Sequence, residues 1–116
     1  MKNRPFNIVM LLNANPQWLA LSREERSQFV KKDLHPIFDH LSDRLDLKFY
    51  DSEYFHSSFS DYLIIQTYEL DAYQTFIELL RDTKVYSVPF FEVKEIIIGI
   101  ENQFEVFDEQ FKKGVA

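Results

Sequence analysis

The chain has 116 residues, thirteen basic and nineteen acidic side chains, a net charge of −6 and no cysteine. Its length predicts one domain spanning 1–116 that buries a core without a metal or a disulfide. The missing cysteines exclude disulfide frameworks, thiolate metal sites and a Cys nucleophile, and the scattered Lys and Arg exclude the clustered phosphate contacts of a nucleic-acid partner.

Leu, Ile, Val and Phe supply 40 of the 116 residues, well above the share of roughly 20% that marks a disordered chain. Nineteen residues are aromatic and two are glycine. So few glycines leave no Gly-rich phosphate loop. No apolar run approaches the roughly 20 residues of a membrane-spanning helix, so no membrane partner is expected. Lys2 and Arg4 precede the first apolar run, but no small-residue cleavage site follows it. That run reads as a strand rather than a signal peptide, and a cytoplasmic location is expected.

In chain order, Phe6–Ala14 reads as a strand through the continuous run Ile8 to Leu12. Asn13-Ala14-Asn15-Pro16 breaks it. Ser22 and Glu25 form a capping box. The helix they open repeats Phe29, Val30, Leu34, Ile37, Phe38 and Leu41 with period 3.6. Pro36 falls inside that pattern and predicts a kink near Lys32–His35, because it removes a backbone donor. Leu45–Tyr50 alternates, as a strand with one wetter face does. Asp51–Ser60 is a polar and aromatic connection in which Ser57, Ser58 and Ser60 read as turn residues. Tyr62–Tyr68 is a further strand. Asp71 is expected to cap a second helix whose buried stripe is Tyr73, Phe76, Ile77 and Leu80. Thr83–Pro89 reads as a loop or short turn, Phe90–Ile100 as the longest strand, and Glu101–Phe111 as a helix carrying Phe104, Phe107 and Phe111.

The order β-α-β-β-α-β with a C-terminal helix predicts an α+β, ferredoxin-like fold, with two helices on one face of an antiparallel sheet. The other face is too apolar to stay wet. The first strand is apolar on both sides. The last presents Phe90, Ile96, Ile98 and Ile100 in one parity and Phe91, Val93 and Ile97 in the other. One short helix is a small cover for such a surface. A second copy packed sheet to sheet is the simplest one, so a homodimer of the dimeric α/β barrel type is expected.

Several segments together resemble the darcynin family. They are Pro16-x-Trp18-Leu19-x-Leu21-Ser22-Arg23-x-Glu25-Arg26, Tyr50-Asp51-x-Glu53-x-Phe55, Ser60-Asp61, Glu78-x-Leu80-Arg81-Asp82-Thr83 and Pro89-x-Phe91-Glu92-Val93. The resemblance runs from about Phe6 to Phe107. It implies a bacterial protein with a dimeric α/β barrel fold and brings no chemistry of its own.

Candidate sites are few. His35 and His40 are five apart, about 140° of helix rotation, so they do not form an i, i+4 metal pair. They read as solvent-facing or helix-end histidines, and no metal is expected. His56 lies in the connection among Asp51, Glu53 and Asp61, and a His beside a carboxylate is a common general base. It is the one catalytic candidate, with a surface role as the plainer reading. Asn13, Asn15 and Trp18 stand where the first strand leaves the sheet. Asn13 and Trp18 would orient a polar ligand at a barrel mouth, although turn chemistry and a packing lid explain them as well. Tyr62, Ile64, Gln66 and Tyr68 share one strand parity, opposite Asn7 or Asn13. With Tyr50 they are ligand-binding candidates, or else polar contacts in a dimer interface, where Tyr is enriched. The acids Asp51, Glu53, Asp61, Glu69, Glu92 and Glu101 cluster near strand ends. A raised carboxyl among them would do acid–base work, but caps and pairs with arginine, such as Glu78 with Arg81, are the plainer use.

Two function classes follow. The first is a small dimeric protein that binds a small apolar or aromatic ligand or a partner without catalysis and without a cofactor. The second is a cofactor-independent enzyme of oxygenase or isomerase type acting on an aromatic or polyketide-like molecule, which rests on fold analogy. Haem binding ranks last, because it needs an axial His facing the cavity and the second helix carries none.

Overall fold

The computed structural model describes residues 3–56 and 58–114, so the turn role expected of Ser57 lies outside the described residues. Strands β1 (Phe6–Ala14), β2 (Asp46–Asp51), β3 (Asp61–Thr67) and β4 (Phe91–Ile100) form one sheet in the order β2-β3-β1-β4. All neighbours are antiparallel. This is the ferredoxin-like arrangement, reached because each βαβ crossover carries the chain past one strand position.

Between β1 and β2 run α1 (Pro16–Leu19), α2 (Arg23–Phe29), a π-helical turn at Val30–Leu34, and α3 (His35–His40). The capping box at Ser22 forms as expected. Glu25 N–H donates to Ser22 Oγ at 3.1 Å, and Ser22 N–H donates to the Glu25 carboxylate at 2.8 Å. The Ser22 backbone N–H first, and the Ser22 hydroxyl second, hold the Glu25 carboxyl below its ordinary range. Pro36 acts at the position the pattern predicted. Its missing N–H stands in the first turn of α3, and the ladder before it widens into the π turn.

After β3 comes α4 (Leu70–Arg81). Its N-cap position is Glu69, not Asp71. The hydroxyl of Thr67 accepts from Glu69 N–H at 3.0 Å and fixes the turn one residue pair early. Asp71 then sits in the first turn and pairs with Arg44 at 3.2 Å. The segment read as a loop holds a one-turn helix, α5 (Lys84–Ser87), because the Thr83 hydroxyl accepts from Val85 N–H at 3.1 Å. The expected Glu78–Arg81 pair is not among the ion pairs of the described residues. The arginine pairs among them are made by Arg44, to Glu69 and Asp71, and by Arg4, to Glu105.

Strand register settles which parity faces the helices. Ile8, Met10, Ile65 and Leu63 are buried as cross-strand partners, and they pack with Leu41, Leu45, Ala72, Phe76 and Leu80 into the main core. A second, smaller cluster of Phe29, Val85 and Phe90 packs with Trp18, Leu21 and Phe91. The opposite face carries Asn7, Val9 and Leu11 of β1, with Gln66, Ile64 and Tyr62 of β3 across from them and Ile97 of β4 beside Val9. The helix α6 (Gln103–Lys112) leaves the end of β4 and leaves Phe104, Phe107 and Phe111 more than half exposed. No described helix is long and apolar enough to cross a membrane.

Candidate functional site

A cavity of about 390 Å³ lies between the helix face of the sheet and the helices. Its floor is Met10, Leu12, Leu63, Val93 and Phe91 of the strands, and its walls come from Trp18, Leu34, Phe38, Phe76 and Tyr86. The π turn at Val30–Leu34 and α3 place Val30, Leu34, His35 and Phe38 on the cavity wall, while Trp18 of α1 packs against Phe90 and Phe91 at ring distances of 5.4 and 5.1 Å. Burial holds the Tyr86 hydroxyl above its ordinary pKa.

The polar end of the cavity is a pair of carboxylates. Asp51 of β2 and Asp61 of β3 are direct cross-strand partners, one row beyond Tyr50–Tyr62 and two beyond Phe49–Leu63. Strand alternation puts Asp51, Asp61, Phe49 and Leu63 on the helix side. Ser60 fixes the position of Asp61. Its hydroxyl donates to Asp61 Oδ2 at 2.7 Å and accepts from Ala14 N–H at 2.7 Å. Its backbone bonds Leu12 and Ser52, tying three strands at one point. Burial pushes the Asp61 carboxyl above the ordinary carboxylate range. The Ser60 hydroxyl opposes this, and the hydrogen bond and charge of Asp51, with the charge of Glu53, add to it.

Unfolded, Asp61 loses its proton near the ordinary value of about 3.9. Folded, it holds the proton to higher pH. Between the two values the folded chain binds more protons, so stability falls as pH rises through that window and stays lower above it. Asp61→Asn should therefore melt at a higher temperature than the parent at neutral pH and at the same temperature below the window. Thermal denaturation at both pH values checks this, and a lower melting temperature for the variant at neutral pH contradicts it.

The sequence-derived candidates divide among three places. Trp18, Tyr50 and Tyr62 border the cavity. The tyrosine rings, however, belong by alternation to the open face, where they stack at 4.8 Å. Gln66 and Tyr68 border a different, shallow depression of about 260 Å³ at the far end of β3. Gln66 Nε2 also donates to Asn7 Oδ1 at 3.0 Å across the open face, one of the two asparagines the sequence offered opposite this strand parity. Asn13 stands opposite Glu92 and does not line the cavity. His56 is exposed, accepts from Ser58 N–H through Nδ1 at 3.2 Å and stacks on Phe59. It forms no ion pair with Asp51, Glu53 or Asp61 among the described residues, so the pairing that motivated a general base is not made. His35, set aside as a helix-end residue, does stand at the start of α3 and is exposed, but it also lines the cavity. Asp61 and His35 are the two residues sequence reasoning undervalued. Counting Asp51 and Asp61 back from one connection into two antiparallel strands would have paired them.

Fold and site together define a small α+β domain of ferredoxin-like topology with an apolar cavity between sheet and helices, closed at one end by two acids. A family description, "Darcynin, domain of unknown function", matches residues 2–110. The chain belongs to the darcynin family. Darcynin 1 of Acinetobacter baumannii is 34% identical over 90 residues, covering 78% of this chain and 99% of that protein. A darcynin homolog of Streptomyces avermitilis is 29% identical over 100 residues, covering 86% and 82%. Among solved structures, a mutant chlorite dismutase from Candidatus Nitrospira defluvii superposes with a TM-score of 0.76 at 17% identity, over 94% of this chain and 46% of that one. A heme-binding protein from Thermus thermophilus gives 0.77 at 11% identity, over 92% and 45%. This chain thus spans a little under half the length of those two structures, and the likeness is one of fold.

Proposed function

We propose that this protein binds a small apolar or aromatic molecule in the cavity between its sheet and helices, without covalent chemistry, and works as a homodimer. The observation that carries the reading is a cavity of about 390 Å³ with a mostly apolar lining and a carboxylate pair, Asp51 and Asp61, at one end. Ligand pockets of small molecules are built this way, with a few polar groups fixing orientation.

The heme named for one structural neighbour fits these residues poorly. The one imidazole on the cavity wall, His35, is exposed at the helix junction. The polar end presents Asp51 and Asp61, and no described Lys or Arg lines the cavity to meet propionate charge. An enzymatic reading draws support from a different observation. The Asp61 carboxyl, raised above its usual range in an apolar site, is a group able to hold and release a proton. In that reading Asp61, rather than His56, is the acid.

The neutral fluorescent probe N-phenyl-1-naphthylamine tests the binding reading. It should bind the parent protein, and Val93→Trp, which fills the floor, should weaken that binding at least tenfold while the circular dichroism spectrum stays unchanged. Undiminished binding by a folded Val93→Trp protein would place the ligand elsewhere.

A further inference from the structure

We propose that the ligand of this cavity carries a protonated amine on its apolar or aromatic body, and that Asp51 and Asp61 hold the ammonium group. The inference rests on the binding reading above and names the chemistry of its ligand.

The site is the cavity with its charge distribution, not the acid pair alone. Its walls offer aromatic rings from Trp18, Phe38, Phe49 and Phe91. Its ionisable lining consists of Asp51, Asp61, His35 and tyrosines, and no described Lys or Arg is among them. Ion pairs elsewhere in the fold engage Glu69, Asp71, Glu92, Glu105 and Glu109. Neither Asp51 nor Asp61 takes part in one of the ion pairs of the described residues. Two carboxyl groups facing one another across adjacent strands repel when both are ionised, and Glu53 adds to that field. An ammonium group removes the conflict. It has three donors and no acceptor, so it can bond both carboxylates at once with charge-assisted hydrogen bonds. The aromatic rings among the cavity lining attract a cation further. A ligand carboxylate meets like charge at the same place, and a hydroxyl supplies a single donor. The Ser60 hydroxyl, already donating to Asp61 and accepting from Ala14, holds its carboxylate in place before the ligand arrives.

Trp18 is the one tryptophan of the chain and lines the cavity, so its fluorescence reports occupancy. Three probes of matched shape separate the possibilities: 2-phenylethylamine, 2-phenylethanol and 3-phenylpropanoate. Each is titrated against the full chain at neutral pH by Trp18 fluorescence and by calorimetry. The parent is expected to bind the amine at least tenfold more tightly than the alcohol, and the propanoate most weakly. In the double variant Asp51→Asn with Asp61→Asn the amine should fall to the level of the alcohol, whose own affinity stays within a few fold. Asp51→Asn alone gives the same direction if the double variant does not fold. Equal affinity for the three probes, or preference for the propanoate, overturns the amine inference and leaves the binding reading standing. Retention of the amine preference in a folded double variant overturns the assignment to Asp51 and Asp61. Failure of all three probes to bind the parent counts against the cavity reading and the inference together.

Discussion

Phe76→Ala should destabilise the protein by about 3–5 kcal/mol, the range for removing a buried aromatic side chain. Phe76 is 0% exposed at the centre of the main core. It stands in the buried stripe of α4, with the Phe38 ring 6.2 Å away, and it also forms part of the cavity wall. The void left by its ring opens into space that already exists, so neighbours cannot collapse evenly around it. A loss of that size is a large part of the roughly 5–15 kcal/mol that holds a domain together. Denaturant unfolding, with the slope checked against the parent, measures it. A loss below about 1 kcal/mol would mean that the cavity wall repacks freely and that Phe76 does not set its shape.

Much of this architecture is written in local patterns. The capping box at Ser22 and Glu25 is a signal confined to four consecutive residues, and it forms as read. The misplaced start of α4 shows the limit of that approach. Asp71 has the right side chain for a cap, but Thr67, four residues earlier at the strand end, captures the Glu69 amide first. Arg44, remote in sequence, then takes the Asp71 carboxylate. A competition between a local cap and a tertiary ion pair leaves no mark in a window of neighbouring residues. The helix at Lys84–Ser87 escapes a reading by pattern for a related reason. It is one turn long, below the length at which periodicity can be seen, and it is held by the Thr83 cap and the burial of Val85.

The site was legible only in part, because it depends on which parity of each strand meets the helices. Both parities of β1 and β4 are apolar, so pattern cannot choose between them. The register does choose, and it sends Gln66 to the open face and Asp61 to the cavity side. Trp18 was recognisable as a lid because an aromatic residue just after a strand-ending turn has a sheet edge to cover. His56 drew notice for its neighbours in sequence, yet the connection directs it outward to stack on Phe59. Proximity along the chain was a poor guide there. Asp51 and Asp61, ten positions apart, are brought together by antiparallel pairing alone.

The same register predicts the effect of a charge on the open face. Ile64→Glu places a carboxylate at the middle of that face, between Lys48 of β2 and Val9 of β1. Four strands at about 4.8 Å spacing, averaging about eight residues at about 3.3 Å rise, give near 510 Å² of sheet plane. A standard interface takes about 800 Å² from each partner. The sheet alone falls short of that, and the exposed Phe104, Phe107 and Phe111 of α6, next in the chain after β4, are the natural supplement. In a two-fold dimer each substitution occurs twice at the interface. Loss of a buried isoleucine contributes about 1.5–3 kcal/mol each time, so the dimer should weaken by about 3–6 kcal/mol, or roughly a hundredfold to ten-thousandfold. Sedimentation velocity across a concentration series should show a dimer for the parent and a folded monomer for Ile64→Glu. Phe107→Ser on α6 should shift the same equilibrium less. A parent that sediments as a monomer at every concentration, with Ile64→Glu indistinguishable from it, would remove the second copy as the cover for this face.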